Sequence, residues 1–151
     1  MSHSASSTII RQACNDSDIQ ACLAIRRQVF VIEQHVPLAD ELDGKDAESE
    51  HFLMLQDEVP IGVARVRFIE VDAKIERMAI LSEYQHQGYG AALMRYLLEY
   101  LESRQVRGVQ LSAQVAVIPF YEQLGFRVCS EEYLDANIPH QDMYRDFNHC
   151  P

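Results

Sequence analysis

The strongest chemical signal in the chain is the hexapeptide Gln85-His-Gln-Gly-Tyr-Gly90. Glycines at alternate positions let a backbone approach a ligand closely. Beyond them Leu93, Leu97 and Leu101 repeat at the i, i+4, i+8 spacing of an amphipathic helix, with Met94 and Leu98 alongside. A helix that starts here offers unpaired amide N–H groups and the positive end of its dipole. Loop and helix together form an anion site suited to a pyrophosphate. The pattern has neither the Gly-Lys-Ser/Thr ending of a P-loop nor the third glycine of a dinucleotide fingerprint. Taken alone, the hexapeptide also fits a turn eased by glycine. Cys14, Cys22, Cys129 and Cys150 show no Cys-x-x-Cys spacing, and the histidines do not cluster with carboxylates at ligand spacing. No metal is therefore expected.

The loop must be held by other elements. Ile9 and Ile10 suit an opening strand, and Ser17-Asp-Ile-Gln20 reads as a capping box for a helix over 17–32. Residues 38–50 are polar and acidic and read as a loop with, at most, a helical turn. His51–Gln56 and Ile61–Ile69 flank Asp57-Glu-Val-Pro60 as a hairpin. Lys74–Leu81 is another strand, whose alternation puts Glu76, Met78 and Ile80 on one face and Ile75, Arg77 and Ala79 on the other. After the helix near Gly88, Val109–Ala113 is a short buried strand. Pro119 suits the first turn of a further helix and Gly125 the position just past its end. Phe126–Cys129 and Met143–Phe147 close the sheet. This order predicts an α/β sandwich around one mixed sheet.

The chain has 151 residues, the size of one domain spanning 1–151, with residues 1–7 expected to be disordered. Apolar residues make up 48%, enough for a real core, and charged residues 24%, which excludes disorder of the whole chain. Thirteen basic against 23 acidic residues give a net charge of −10. That excess argues against nucleic-acid and anionic-lipid partners and permits attraction of cations. No apolar run approaches the roughly 18 residues of a membrane span, and the opening residues lack a signal-peptide pattern. A cytoplasmic protein with reduced thiols is the expectation.

The stretch Ile75–Leu98, IERMAILSEYQHQGYGAALMRYLL, resembles the acetyl-CoA motif of the GNAT family of N-acetyltransferases. Pro119-Phe-Tyr-Glu-Gln-Leu-Gly-Phe126 resembles that family's second signature, in the expected order and separation. Ile25–Gln34, the acidic loop with Glu41-Leu-Asp43, and Glu131–Met143 look like the small ElaA-type branch, so the resemblance covers nearly the whole chain. It implies the GNAT fold: a mixed, mainly antiparallel sheet splayed between two strands and flanked by helices. It implies acetyl-CoA as co-substrate. Backbone groups of Met78, Ala79 and Ile80 would hold the pantetheine arm. The pyrophosphate would be held by the loop Gln85, His86, Gln87, Gly88, Tyr89, Gly90 and Ala91. Gln87-Gly88 stands where many members have a basic residue before glycine, which removes a cation near the pyrophosphate. Gln114 stands where members often carry a cofactor-bonding Asn. Phe120 would flank the cofactor, and Tyr121 corresponds to the family's recurrent general acid.

Acetyl transfer to an amine needs a neutral nucleophile. At pH 7, holding an amine of pKa about 10.4 neutral costs roughly 4.6 kcal/mol without help. Glu76 and His140 are the candidate bases. Glu76 would need burial to raise its pKa; the alternatives are that it binds a cationic acceptor or pairs with Arg65 or Arg67. At the leaving end, donation from a tyrosine of pKa about 10 to a thiol of about 8.5 is uphill, so a strengthening hydrogen bond is the safer role for Tyr121. The acceptor is expected to be a primary amine, small molecule or peptide, entering between the first helix and Glu131–His140, where the chain supplies Arg26, Phe30, Glu76 and His140. Monomer and homodimer both remain open. So do two rivals to the enzyme: an idle acyl-CoA-binding module and a structural interaction domain.

Overall fold

The computed structural model describes residues 7–147. The expectation of disorder over 1–7 falls outside them except at Ser7, whose N–H donates to Asp57 Oδ1 at 2.9 Å; Cys150 also lies outside. The strands are β1 (Thr8–Gln12), β2 (Glu50–Gln56), β3 (Val59–Ile69), β4 (Asp72–Ile80), β5 (Gly108–Gln114), β6 (Arg127–Val128), β7 (Tyr133–Asp135) and β8 (Ile138–Asp146). The helices are α1 (Asp16–Arg26), α2 (Leu38–Glu41), α3 (Tyr89–Ser103) and α4 (Ile118–Glu122). Sheet order is β1-β2-β3-β4-β5-β8-β6, with β7 also on β8. Every pairing is antiparallel except β4 with β5.

That parallel pair makes the opening in the sheet. β4 and β5 are in register only at Ala73–Val109 and Lys74–Gln110, and beyond these positions the strands splay apart. On one face α3 and α4 cover a core of Phe52, Met54, Ala64, Ile75, Ile80, Leu93, Leu97 and Leu111. On the other, α1 covers Leu53, Leu55, Val63 and Ala79. The leucine stripe read from the sequence is the buried face of α3.

Two local readings are corrected. The cap of α1 is Asn15, whose Oδ1 accepts from Asp18 N–H at 2.8 Å, rather than Ser17. Asn is at least as good a cap as Ser, and it lies at the position where the chain leaves extended conformation. The helix also changes type: Arg27–Glu33 is π-helical. The β2–β3 turn has positive φ at both Asp57 and Glu58, the backbone of a tight hairpin turn.

Gly108 opens β5, one arm of the splayed pair. A Cβ there would lie 2.7 Å from the Arg145 carbonyl oxygen and closer still to the Tyr144 hydroxyl, which itself donates to Asp72 Oδ1 at 2.9 Å and ties β8 to β4. Gly108→Ala should therefore destabilise the domain by about 1–3 kcal/mol, read as a lower urea midpoint at unchanged m.

Candidate functional site

The glycine loop leads into α3. Gly88 is its cap, at φ 88, and no atom stands within 4 Å of where a side chain would begin. The glycine is thus required by the backbone rather than by crowding. The first helical bond is Ala92 N–H to the Gly88 carbonyl at 3.1 Å, so the amides of Tyr89, Gly90 and Ala91 precede any intrahelical partner. Gln85 Nε2 donates to the Ile80 carbonyl at 2.8 Å and moors the loop to the end of β4. Gln87 Nε2 donates to the Glu83 carbonyl at 3.2 Å. His86, like Gly88, has positive φ.

Five sequence-predicted residues converge at the open end of β4. Around Gly90 a Cβ would meet Met78 Cε and Phe120 Cζ, each at 3.6 Å, and Ile80 Cγ1 at 3.9 Å. The Tyr121 hydroxyl faces Met78 Sδ at 4.0 Å, and its ring packs edge-on against Phe120 and Phe126. Burial pushes the Tyr121 phenol up to about 12. It stays protonated at neutral pH, and its gap to a thiol of about 8.5 widens to about 3.5 units.

Glu76 is where simple alternation failed. Val63 pairs with Ala79 but Arg65 with Glu76, so Arg77 and Met78 together face Ala64. This is a β-bulge, and Arg77 carries its φ of 53. The bulge reverses the parity of the strand. Met78 and Ile80 lie on the α3 face, whereas Glu76 lies on the opposite face among arginines. Its carboxylate accepts from Arg67 Nε at 2.7 Å and Arg65 Nη2 at 2.9 Å, with Lys74 Nζ at 3.5 Å. Burial alone would push this carboxyl up. The hydrogen bond from Arg67, the Arg65 charge and hydrogen bond, and Lys74 outweigh it and hold the group down at about 2. Glu76 is a fully occupied anion with almost no basicity at neutral pH, so the expectation of a base raised by burial is corrected.

Arg26 is also corrected. It is 0% exposed and pairs with Glu41 Oε1 at 2.9 Å and Asp46 Oδ1 at 2.8 Å, so it has no surface to offer an acceptor. Arg65, equally buried, bonds Asp43 Oδ2 at 2.8 Å and Asp46 Oδ1 at 3.0 Å. Arg77 pairs with Glu41 at 2.9 Å and Asp43 at 3.3 Å. The hydrogen bond from Arg65 holds the Asp43 carboxyl well below the usual range. The most buried carboxylates of the acidic loop are therefore matched by arginines of α1, β3 and β4. The sequence reading took residues 38–50 only as a polar, acidic loop. The signal lay in Arg65, Arg67, Lys74 and Arg77 on adjacent strands, too many cations for a core without counter-charges.

On the Glu76 face, β5 and β8 set Gln114 opposite His140, Ser112 opposite Asp142 and Gln110 opposite Tyr144. Gln114 Nε2 donates to Gln34 Oε1 at 2.9 Å, joining the end of the first helical segment to the end of β5. Gln34 was not singled out by the sequence reading. Phe30 packs into the cluster of Ile25 and Val29 and forms a wall rather than a free contact. His140 is 9% exposed and stacks on Tyr133 with ring centroids 6.0 Å apart. Its Nδ1 lies 2.7 Å from the Ile138 carbonyl oxygen. A carbonyl only accepts, so Nδ1 carries a hydrogen, and in the neutral ring Nε2 is the nitrogen that bears the lone pair. A groove of about 480 Å³ on this face is lined by Asp72, Lys74, Gln110, Ser112 and Asp142 among others. It sits at the paired, closed end of β4 and β5, away from Gly88 and Tyr121, so the open end is the better site. Among the described residues, no group of three His, Cys, Asp or Glu could hold a metal ion, and no helix is long and apolar enough to cross a membrane.

A splayed sheet with a helix N-terminus at its open end is the architecture of an acyl-CoA-dependent transferase. Residues 10–147 match the family model of the acetyltransferase (GNAT) domain, and the chain belongs to that family. It is 37% identical over 135 residues to the uncharacterized N-acetyltransferase YjcF of Bacillus subtilis, covering 89% of this chain and 96% of that protein. It is 30% identical over 136 residues to protein ElaA of Escherichia coli, covering 86% and 88%. The crystal structure of ElaA superposes with a TM-score of 0.83 over 94% of this chain and all of that one, at 26% identity. A Bacillus subtilis acetyltransferase solved in complex with CoA shares the fold at a TM-score of 0.72 and 14% identity, over 93% and 99%.

Glu76 has its pKa depressed by folding, so its contribution to stability is present above the ordinary carboxylate value of about 4.5 and is lost as pH falls through about 2. The urea midpoint should fall between pH 5 and pH 3. Glu76→Gln should be destabilised by roughly 1–3 kcal/mol at pH 6, because Arg65 loses a partner. It should also show a shallower decline with acid, the remaining slope coming from Asp43 and Asp46, which shift the same way.

Proposed function

We propose that this chain transfers the acetyl group of acetyl-CoA to a primary amine by direct attack on the thioester. The observation that carries this is the meeting of Gly90, Met78, Phe120 and Tyr121 at the open end of β4, beside the unpaired amides that start α3. The site fits the co-substrate on its own chemistry. The N–H groups of residues 86–91 and the α3 dipole suit the pyrophosphate, whereas the Gln85 N–H donates to the Ser82 carbonyl at 3.3 Å. The β5-side edge of β4 beyond Lys74 has no strand partner among the described residues, so the edge at Met78 is open to the pantetheine amides, while the Ile80 carbonyl already accepts from Gln85. That the CoA-bound Bacillus acetyltransferase has the same fold supports the placement.

The amine enters from the opposite face, between Gln34 and Phe30 on one side and Tyr133 and His140 on the other. A C–N bond forms at the acetyl carbon as the C–S bond breaks. The proton from the amine passes to His140 Nε2, directly or through water. The Tyr121 hydroxyl donates a hydrogen bond to the sulfur as charge develops there, and the thiolate is finally protonated by solvent. Holding amine and thioester together supplies much of the rate. Gln114, joined to Gln34, orders the acceptor mouth rather than bonding the cofactor.

An acetyl-CoA-dependent thiol-release screen over amines, polyamines, aminoglycosides and peptides identifies the acceptor. CoA binding without turnover on any amine would return the chain to an idle acyl-CoA module; no CoA binding would leave a structural domain. Gly88→Val, which forces a β-branched residue to positive φ, should raise the CoA Kd at least tenfold in a folded protein. With chemistry rate-limiting, Tyr121→Phe should lower kcat by roughly 10²-fold while the CoA Kd changes less than threefold, because its bond strengthens only as the sulfur gains charge. Equal kcat in the two proteins returns Tyr121 to the core.

A further inference from the structure

The bulge in β4 is held from outside the strand. Arginine gains nothing intrinsically from a φ of 53, yet Arg77 is fixed there by several bonds. Its guanidinium pairs with Glu41 Oε2 at 2.9 Å and Asp43 Oδ2 at 3.3 Å. Nη2 also donates to the carbonyls of Asp40 at 3.1 Å and Glu41 at 3.2 Å. Glu41 is itself 3% exposed and clamped by Arg26, which is 0% exposed. The frame that grips Arg77 belongs to α2 and the loop after it. The next residue, Met78, turns to the opposite face and brings its sulfur to the Tyr121 hydroxyl. A pull on Arg77 from one face of the sheet thus sets where Met78 and the open backbone after it lie on the other.

We propose that Arg77 is a positioning residue: its pairing with Glu41 and Asp43 fixes the left-handed bulge that presents Met78–Ile80 to the acyl-CoA, so that segment 38–43 on the acceptor face sets the thioester geometry on the cofactor face. This rests on the reading of β4 as the acyl-CoA strand. It makes the acidic loop a structural arm of the active site. Neither of the two GNAT motifs, Ile75–Leu98 and Pro119–Phe126, includes that loop.

The backbone supplies the test, because glycine accepts positive φ freely and valine resists it. Arg77→Val removes both the ion pairs and the tolerance for the bulge. Arg77→Gly removes the ion pairs and keeps the tolerance. In folded protein, Arg77→Val should raise the CoA Kd at least tenfold and lower kcat at least 100-fold. Arg77→Gly should recover at least tenfold of the kcat and most of the CoA affinity. Glu41→Gln, acting from the far end of the pair, should lower kcat about tenfold in protein shown to be folded, since it also strips the buried Arg26 of a partner, and its effect on kcat should be several-fold smaller when added to Arg77→Gly than in the wild type. If Arg77→Val does not fold, Arg77→Ala takes its place against Arg77→Gly.

Wild-type kcat and CoA Kd in both Arg77 variants would mean the ion pairs only stabilise the fold and would overturn the inference. Equal loss of kcat in both, with unchanged CoA affinity, would mean that Arg77 contacts the acceptor, and would overturn it too. Calorimetric CoA affinity carries the comparison alone while the amine is unknown. Wild-type protein that binds no CoA defeats the reading of the site itself, an outcome separate from wild-type binding with no difference among the variants.

Discussion

Backbone groups left unpaired in the middle of a sheet are costly, yet β4 gives up its β5 partner after Lys74. The site depends on that interruption. A sheet that stayed zipped would have no edge to offer a ligand and no passage between its faces. The strands can part because each arm is held elsewhere: β4 by its long antiparallel pairing with β3, β5 by pairing along its whole length with β8. The open end lies where α3 begins, so the free edge and the free helical amides face the same space. Two sets of unsatisfied polar groups, each unfavourable alone, become one binding surface for a ligand that carries both amides and phosphates.

The second constraint is charge. Three arginines, Arg26, Arg65 and Arg77, meet Glu41, Asp43, Asp46 and Glu76 across α1, α2, β3 and β4. Desolvation weighs against every member, and such a network is weak evidence for stability. Its effect is directional instead. A guanidinium can satisfy its planar donors in few arrangements, so the loop 38–46 is fixed relative to β4 with a precision that apolar packing alone does not give.

Most of the architecture could be read from the residues. The leucine spacing of α3, the β2–β3 hairpin and the Pro119 start of α4 are local patterns, and local patterns survive folding. The glycine loop was legible because Gly88 answers a backbone requirement that other residues meet poorly. What the sequence hid was long-range. Period-two alternation assigned Glu76 to the face of Met78, and a single extra residue at Arg77 reversed the assignment. No local pattern marks that bulge, since arginine is not a residue that seeks positive φ. Arg26 looked like a surface residue at the end of a helix, and only the fold brings Glu41 and Asp46, 15 and 20 residues away, onto it. Gln34 and Gln114 lie 80 residues apart and meet only because the strands splay.

The division of faces also separates the proton chemistry of the proposed transfer. The candidate donor to sulfur, Tyr121, lies on the α3 face, and the candidate acceptor of the amine proton, His140, lies on the other side of the sheet, in register with Gln114. Acid and base therefore cannot neutralise each other directly, and each is tuned by its own surroundings. Burial keeps Tyr121 protonated, with its phenol pushed up to about 12. The Ile138 carbonyl fixes which nitrogen of His140 carries its hydrogen. Glu76, the other acidic group near the opening, is held by Arg65 and Arg67 and takes no proton near neutrality. With Glu76 held as an anion, the proposed transfer leaves the amine proton to His140 on the acceptor side and the developing sulfur charge to Tyr121 on the other, joined only through the opening between the strands.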